Sequence, residues 1–410
     1  MATTEQAGAP DQTIPSLAGS LVALLAIALV FRPQVIAIGP LLPSIQVGLG
    51  MSHGLAGALS AIPVLCMGVF APLGPRLARR FGARWALAAC ALLVIVFGLA
   101  RLAVPGPILV LAVTFGIGLG MGLAGPIFPL IVRTRLPARP GLGTGAYASG
   151  LVLGGTFAAS LAIPLAGDAG DWRFALAAIT LAGIGSLVIW LILAPADAVV
   201  VTSDVPSRIP WRSPIGWVLG LVFGLQSMLF YDVVAWLAAV YVDRGWSEPA
   251  AAQLVAVFSA VTLAGTVLTP LAADRIGTRR TQLVASSAAV LAGTLGVVLL
   301  PDSAFVWAVL LGAGMGAIFP IVLTLPVDVG GRPAEVAATA AVMLLVGYLS
   351  AAAGPFVFGV SRDVTGDFEV SLWLLVAAAA LLLALCALMT PDRLRRIGAR
   401  VGPRAGDPLA

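Results

Sequence analysis

Long apolar stretches alternate with short polar segments along almost the whole chain. A helix rises about 1.5 Å per residue, so roughly 20 apolar residues cross a hydrocarbon core of about 30 Å. Helices are expected in such stretches because lipid offers no partner for unpaired backbone groups. The pattern predicts an all-α integral membrane protein with twelve transmembrane helices, at residues 17–43, 54–75, 84–103, 106–132, 141–165, 172–194, 214–242, 248–270, 281–300, 304–326, 335–360 and 370–390.

The composition supports lipid as the solvent for most of the chain. Of the 410 residues, 60% are hydrophobic and only 10% are charged, and the mean hydropathy is +1.06. A soluble domain is about half apolar and about a quarter charged. The polar residues 1–15 lack the basic start of a signal peptide, so we expect the first span to remain in the mature protein.

All 23 basic residues are arginines, and most of them lie in alternate loops. Because cytoplasmic loops carry an excess of basic residues, this placement predicts that both termini are cytoplasmic. The arginines sit at helix ends rather than in one patch, so the net charge of +5 does not indicate nucleic-acid binding. We expect a multi-pass monomer in the lipid bilayer of the bacterial cytoplasmic (inner) membrane.

The chain contains an internal repeat of six spans. A polar segment at 195–213 reads as a cytoplasmic linker between an N-terminal half at 1–194 and a C-terminal half at 214–410. Such halves can rock against each other and expose a site at their interface to each side in turn, so spans 1, 4, 7 and 10 are expected to line a cavity. The matches, shifted by 191 to 195 positions, join residues 50–52 to 245–247, 80–84 to 275–279, 118–122 to 312–316 and 127–129 to 318–320.

Two loops carry a resemblance to a known family. Residues 74–84, and residues 270–280 in the second half, resemble the conserved cytoplasmic loop of the major facilitator superfamily. The acidic residue usual in that loop is present as Asp274 but is replaced by Arg79 in the first half. The resemblance implies the major facilitator fold, with two pseudo-symmetric six-helix halves.

A narrower resemblance is to the cyanate and 2-nitroimidazole transporter family. It implies small anions or small heteroaromatic compounds as substrates. The motifs that carry it are Arg32-Pro33, Gly39 to Pro43, Ala235-Trp236-Leu237 after Tyr231, and Gly314 to Pro320.

Arg32 lies near the middle of the first predicted span, where a charge costs roughly 3 kcal/mol or more. It should therefore face a watery cavity or a partner. The planar fork of donors on a guanidinium suits a carboxylate or a similar group, so we interpret Arg32 as an anion-binding residue. A permanent ion pair that holds helices together is the alternative.

Asp232 is the second charge inside a span, and it lies in span 7 near the position that repeats Arg32. Both helices are expected to line the cavity. One interpretation is that Asp232 pairs with Arg32, is released by substrate or proton, and carries protons, because burial favours the neutral form of a carboxyl group. The other is a static bridge between Arg32 and Asp232, and the sequence leaves both open.

Amide and aromatic side chains within the spans are candidates for the cavity wall, because they can stack on and orient a small ligand. Packing or interfacial anchoring is the alternative for the aromatic ones. With Arg32, the candidate substrate-binding residues are Gln34, Phe128, Tyr147, Gln226, Tyr231, Trp236, Phe319 and Tyr348. The basic loops predict a cytoplasmic gate formed by Arg79, Arg80, Asp274, Arg275 and Arg332.

The leading hypothesis is a secondary transporter that moves a small organic solute, anionic or weakly acidic, by alternating access and proton coupling. A proton-coupled drug exporter of the same fold is the nearest alternative, because Asp232 and an aromatic cavity could bind a cation. One histidine and three separated cysteines supply neither a catalytic dyad nor a metal site, so we expect no enzyme, cofactor or metal. A channel would not need the repeat with its matching cytoplasmic loops.

Overall fold

The computed structural model describes residues 17–136, 138–167, 171–194, 213–272, 278–329 and 333–389. Within these ranges the regular structure is helical throughout. Eleven of the described helices are long and apolar enough to cross a membrane, and a bent pair raises the number to as many as twelve. The predicted all-α membrane fold is therefore confirmed.

Spans 3 to 6 keep close to their predicted bounds, whereas span 2 ends at Val69, before the predicted residue 75. A short amphipathic helix, Gly74–Phe81, follows span 2 across a bend of 42°. Its alternation of arginines with apolar residues suits a position along the membrane surface. The five spans are His53–Val69, Ala83–Ala100, Pro107–Ala124 continued by Ile127–Arg135, Pro140–Ala166 and Trp172–Leu193.

Spans 7 to 12 also follow the predicted pattern. Span 7 is buried along nearly its whole length, so side chains from every face of this helix contact other helices. Of the predicted linker, only Ser213 lies within the described residues, and its hydroxyl accepts a hydrogen bond from the Gly216 N–H at the start of span 7 (3.3 Å). The six spans are Pro214–Asp243, Glu248–Ala272, Arg279–Leu299, Ala304–Val329, Pro333–Thr365 and Glu369–Leu388.

Span 1 differs from the prediction, because it is broken in the middle. It consists of Leu17–Ala28, Pro33–Ile36 and Ile38–Leu49, with residues 29–32 outside any helix. Pro33 has no N–H to donate and its ring clashes with the preceding turn, which ends a regular helix. The N–H groups of Val30 and Phe31 each donate to the carbonyl three residues back, as in a 3-10 helix, so part of the break keeps its backbone hydrogen bonds. The break falls directly beside Arg32.

Candidate substrate site

Arg32 reaches from the break in span 1 to the C-terminal half. Its guanidinium carbon lies 5.1 Å from the ring centre of Phe230 in span 7 and 6.0 Å from that of Phe319 in span 10. The side chain is half-buried, and no carboxylate among the described residues forms an ion pair with it. Aromatic faces attract a cation but leave its N–H donors unused. Arg32 is therefore a cation with donors available between the two halves.

An aromatic group from the N-terminal half packs beside this arginine. The rings of Phe31 and Phe128 meet edge to face at 5.7 Å, and Phe128 stacks on Tyr147 at 5.0 Å. Phe128 is buried, whereas Tyr147 is half-buried. This group joins spans 1, 4 and 5.

The C-terminal half supplies a matching aromatic group. Phe223 meets Tyr348 edge to face at 5.0 Å and lies 6.4 Å from Phe319. Phe31 and Phe223 are 192 positions apart in the chain, as are Gln34 and Gln226, so the repeat itself relates the two groups. The second group joins spans 7, 10 and 11.

Two tyrosines connect these groups to Arg32. Tyr348 interacts electrostatically with Arg32, Tyr231 and Tyr147, which places these side chains in one neighbourhood. The Tyr231 hydroxyl also contacts the sulfur of Met67 in span 2 at 3.8 Å, so it bridges the halves. The structure thus brings five predicted residues together, namely Arg32, Tyr147, Tyr231, Phe319 and Tyr348, with Phe128 behind Tyr147.

Gln34 faces a different way from its neighbour Arg32. It is 2% exposed, and its amide nitrogen donates to the Thr180 hydroxyl in span 6 (2.8 Å). Its side-chain oxygen accepts from Arg101 at 3.2 Å. The amide is therefore committed to the interior of the N-terminal half and does not line the Arg32 neighbourhood.

Gln226 and Trp236 are buried in the C-terminal half. The Gln226 amide oxygen accepts a hydrogen bond from the neighbouring Ser227 hydroxyl at 3.3 Å. Trp236 donates to the Pro355 carbonyl (3.0 Å) and stacks on Phe358 at 5.5 Å. These partners of Trp236 lie outside the aromatic groups around Arg32, so its position fits packing between spans 7 and 11.

Asp232 also faces the interior of the C-terminal half. It is 2% exposed, its Oδ1 has no hydrogen-bond partner, and both carboxylate oxygens lie against Gly354 in span 11. It forms no ion pair with Arg32 in this structure, in contrast to the pairing considered from the sequence. The carboxylate lines a small apolar cavity whose other walls include Trp236, Thr294, Leu311, Phe358 and Leu375.

The two halves are fastened together at the end of the bundle where span 2 begins. The carboxylate of Asp363 in span 11 accepts the backbone N–H groups of His53 (2.9 Å) and Gly54 (2.7 Å). The Nδ1 of His53 lies 2.9 Å from the same carboxylate. Glycines permit this approach, because a Cβ on Gly359 would overlap the His53 carbonyl. We call this contact the His53 latch.

The predicted cytoplasmic gate is only partly within the described residues. Asp274, Arg275 and Arg332 lie outside them. Arg79 and Arg80 are exposed on the helix Gly74–Phe81, and the Arg80 guanidinium lies over the ring of the adjacent Phe81 at 5.4 Å.

Sequence reasoning missed several residues of this region. The sequence does not single out Arg101, which is 1% exposed and hydrogen-bonded inside the N-terminal half. Its place within the predicted third span was the available signal. The repeat offset of Gln34 and Gln226 also identifies Phe31 and Phe223, whereas no sequence pattern singles out Phe230.

Comparisons with known proteins agree on a transporter. The family model of the Major Facilitator Superfamily matches residues 18–355. A protein of Escherichia coli (strain K12) named 2-nitroimidazole transporter is 31% identical over 370 residues, which cover 89% of this chain and 93% of the relative. The cyanate transport protein CynX of the same strain is 30% identical over 351 residues, which cover 85% and 91%.

Solved structures share the fold at lower identity. A crystal structure of a D-xylose-proton symporter superposes with a TM-score of 0.73 at 17% identity, covering 90% of this chain and 96% of that one. The inward-open xylose transporter XylE from Escherichia coli gives 0.73 at 15% identity, with 92% and 98% covered. At such identities the likeness concerns the fold alone.

Proposed function

Since the chain belongs to the Major Facilitator Superfamily and is a multi-pass transporter of small solutes rather than an enzyme, we propose that its solute is a small organic anion or weak acid bound at Arg32. The observation that carries this proposal is a guanidinium between the halves that no described carboxylate neutralises. A cation in surroundings of low dielectric constant gains most from an anion that arrives without its own counterion.

The surrounding aromatic side chains favour a small and flat solute. Phe230 and Phe319 flank the guanidinium, and Tyr147 and Tyr348 add hydroxyl groups from opposite halves. Rings can stack on a planar ligand while the hydroxyl groups orient it. The names of the relatives, which mention 2-nitroimidazole and cyanate, supply two compounds with which to begin.

We propose further that Asp232 couples transport to protons. Burial favours the protonated form of a carboxyl group, and the Oδ1 of Asp232 has no hydrogen-bond partner among the described residues, so the binding of a proton to Asp232 can depend on which side of the membrane is accessible. We propose that the two halves provide alternating access to the site. The protein would act as a monomer in a bacterial inner membrane, with both termini in the cytoplasm.

The experiment is counterflow in proteoliposomes with labelled cyanate, benzoate and 2-nitroimidazole, combined with thermal-shift measurements on the purified protein. We expect saturable counterflow of at least one anion and its loss in Arg32→Ala. The matched control is Arg76→Ala, which removes an exposed arginine whose guanidinium donates to the nearby Pro72 carbonyl and to no other described residue. Equal transport by both variants would contradict the anion site.

A drug exporter is the second candidate, because Asp232 is a buried acid. Its carboxylate faces the interior of one half and does not lie beside the aromatic groups around Arg32. To test this alternative, the counterflow assay in proteoliposomes is repeated with a cationic dye, ethidium. Saturable ethidium counterflow that depends on Asp232 and not on Arg32 would favour the exporter.

A further inference from the structure

Arg101 is a buried cation that the proposed transport cycle does not use. It lies on the short helix Arg101–Ala103 at the end of span 3 and is almost completely buried. Within the described residues it forms no ion pair, and its Nε has no hydrogen-bond partner. A buried charge without an opposite charge is destabilising, so its presence here indicates a specific task.

The bonds of Arg101 identify that task. One terminal nitrogen donates to the side-chain oxygen of Gln34 (3.2 Å) and to its backbone carbonyl (3.4 Å), while the other donates to the Thr114 hydroxyl (3.1 Å). Gln34 is the second residue after the break in span 1. Arg101 therefore holds the chain where the helix has lost its own hydrogen bonds.

The two threonines of this network are oriented as acceptors. The Thr114 hydroxyl donates its single proton to the Val110 carbonyl (2.7 Å), and the Thr180 hydroxyl donates its proton to the Leu176 carbonyl (2.6 Å). Each hydroxyl oxygen can then only accept, from Arg101 and from the Gln34 amide respectively. Spans 3, 4 and 6 thus fix both ends of the Gln34 amide group.

The orientation of Gln34 also determines the direction in which the Arg32 side chain points. Two residues along a helix are about 200° apart, so side chains 32 and 34 point to nearly opposite faces. Because the Gln34 side chain points into the N-terminal half, the Arg32 side chain points towards Phe230 and Phe319, as observed. We propose that Arg101 is a positioning residue that acts through Gln34 to aim the Arg32 guanidinium at the space between the halves. The inference rests on the proposed role of Arg32 in that space.

The test measures the direction of position 32 without any substrate. The three native thiols are removed by Cys66→Ala, Cys90→Ala and Cys386→Ala, and single thiols are introduced by Arg32→Cys or Phe319→Cys. Rates of modification by a charged methanethiosulfonate reagent are then compared with and without Arg101→Leu. We expect the rate at position 32 to fall about tenfold, the factor typical of losing a hydrogen bond to a charged group, with the rate at position 319 within about twofold.

Equal changes at both positions, or no change at either, would overturn the inference. If Arg101→Leu does not fold, Thr114→Val replaces it, because that change removes one acceptor and keeps the charge. It should lower the rate at position 32 by a smaller factor, again without an effect at position 319. A specific change at position 32 together with normal anion transport by Arg32→Ala would uphold the positioning role and reject the anion site.

Discussion

The N-terminal and C-terminal halves treat a buried charge in opposite ways. In the first half, Arg101 donates to three neutral acceptors from spans 1 and 4. In the second half, Asp232 is equally buried, but its Oδ1 has no hydrogen-bond partner and both of its carboxylate oxygens lie against Gly354. A charge fixed by several hydrogen bonds holds one state, whereas an unpartnered carboxylate can gain or lose a proton with little rearrangement. From this comparison we propose a static role for Arg101 in the first half and a proton-dependent role for Asp232 in the second.

The largest expected effect is at the site that both halves share. Arg32→Ala should lower anion counterflow about 100-fold or more, because removing the guanidinium leaves the bound anion without a compensating charge between the halves. Arg32→Lys keeps the charge but loses the planar fork, so it should recover only part of the activity. The measurement is initial rate against concentration in proteoliposomes. If Arg32→Ala transported the anion as fast as the parent protein, Arg32 would not form a substrate site between the two halves.

The proton-dependent role proposed for the second half is tested by Asp232→Asn. The amide has the same shape but does not change its charge by binding or releasing a proton, so counterflow should continue while accumulation driven by a pH gradient is lost. Uptake measured across a series of imposed pH gradients should become flat. Asp302→Asn, which changes an exposed acid in the same half, is the control. An unchanged pH dependence in Asp232→Asn would contradict proton coupling through this residue.

A matched pair of phenylalanines distinguishes the halves more finely. Phe319→Ala should raise KM about fivefold, the worth of one cation–π contact near a ligand-binding cation. Phe128→Ala should lower stability by about 3 kcal/mol, because its buried ring packs on Phe31 and Tyr147. Thermal unfolding and KM are measured on both variants. KM should change mainly in Phe319→Ala, and the unfolding temperature mainly in Phe128→Ala. Parallel changes in the two variants would mean that the aromatic groups are equivalent.

The smallest effect is expected at the two glutamines that the repeat relates. Gln34→Leu should destabilise the protein by about 2 kcal/mol, since it removes the partners of Thr180 and Arg101. Gln226→Leu should cost less than about 1 kcal/mol, because among the described residues its side-chain oxygen accepts a hydrogen bond only from the adjacent Ser227. Thermal unfolding of both variants in one detergent checks the difference. A reversed order would show that the N-terminal half is not the more rigid one.

Much of the fold follows from the sequence. Apolar stretches as long as a bilayer is thick have few alternatives to spanning helices, and the family resemblance of the loops is confirmed by the matching family model. The cost of a charge in lipid also made Arg32 conspicuous, and the structure does place it between the halves.

The orientation of individual side chains was not predictable in the same way. Span 7 is buried on all sides, so no polar face reveals which way Asp232 points. The break before the short helix Pro33–Ile36 was not predicted, so the faces of Arg32 and Gln34 could not be assigned from one continuous first span. Arg101 stands at the end of a span, where an arginine normally anchors the helix to the interface, and only the packing of Gln34 and Thr114 shows that it turns inward.

The His53 latch has a consequence for how the molecule opens. Ser52 caps span 2 through the Leu55 N–H, and Asp363 from the other half adds a second capping group by accepting the N–H groups of His53 and Gly54. Separation leaves those groups for water to satisfy, and losing such a cap costs about 1 kcal/mol, or roughly a fivefold change in population. Opening at this end is therefore a hydration step, and solutes that lower water activity should favour the closed form.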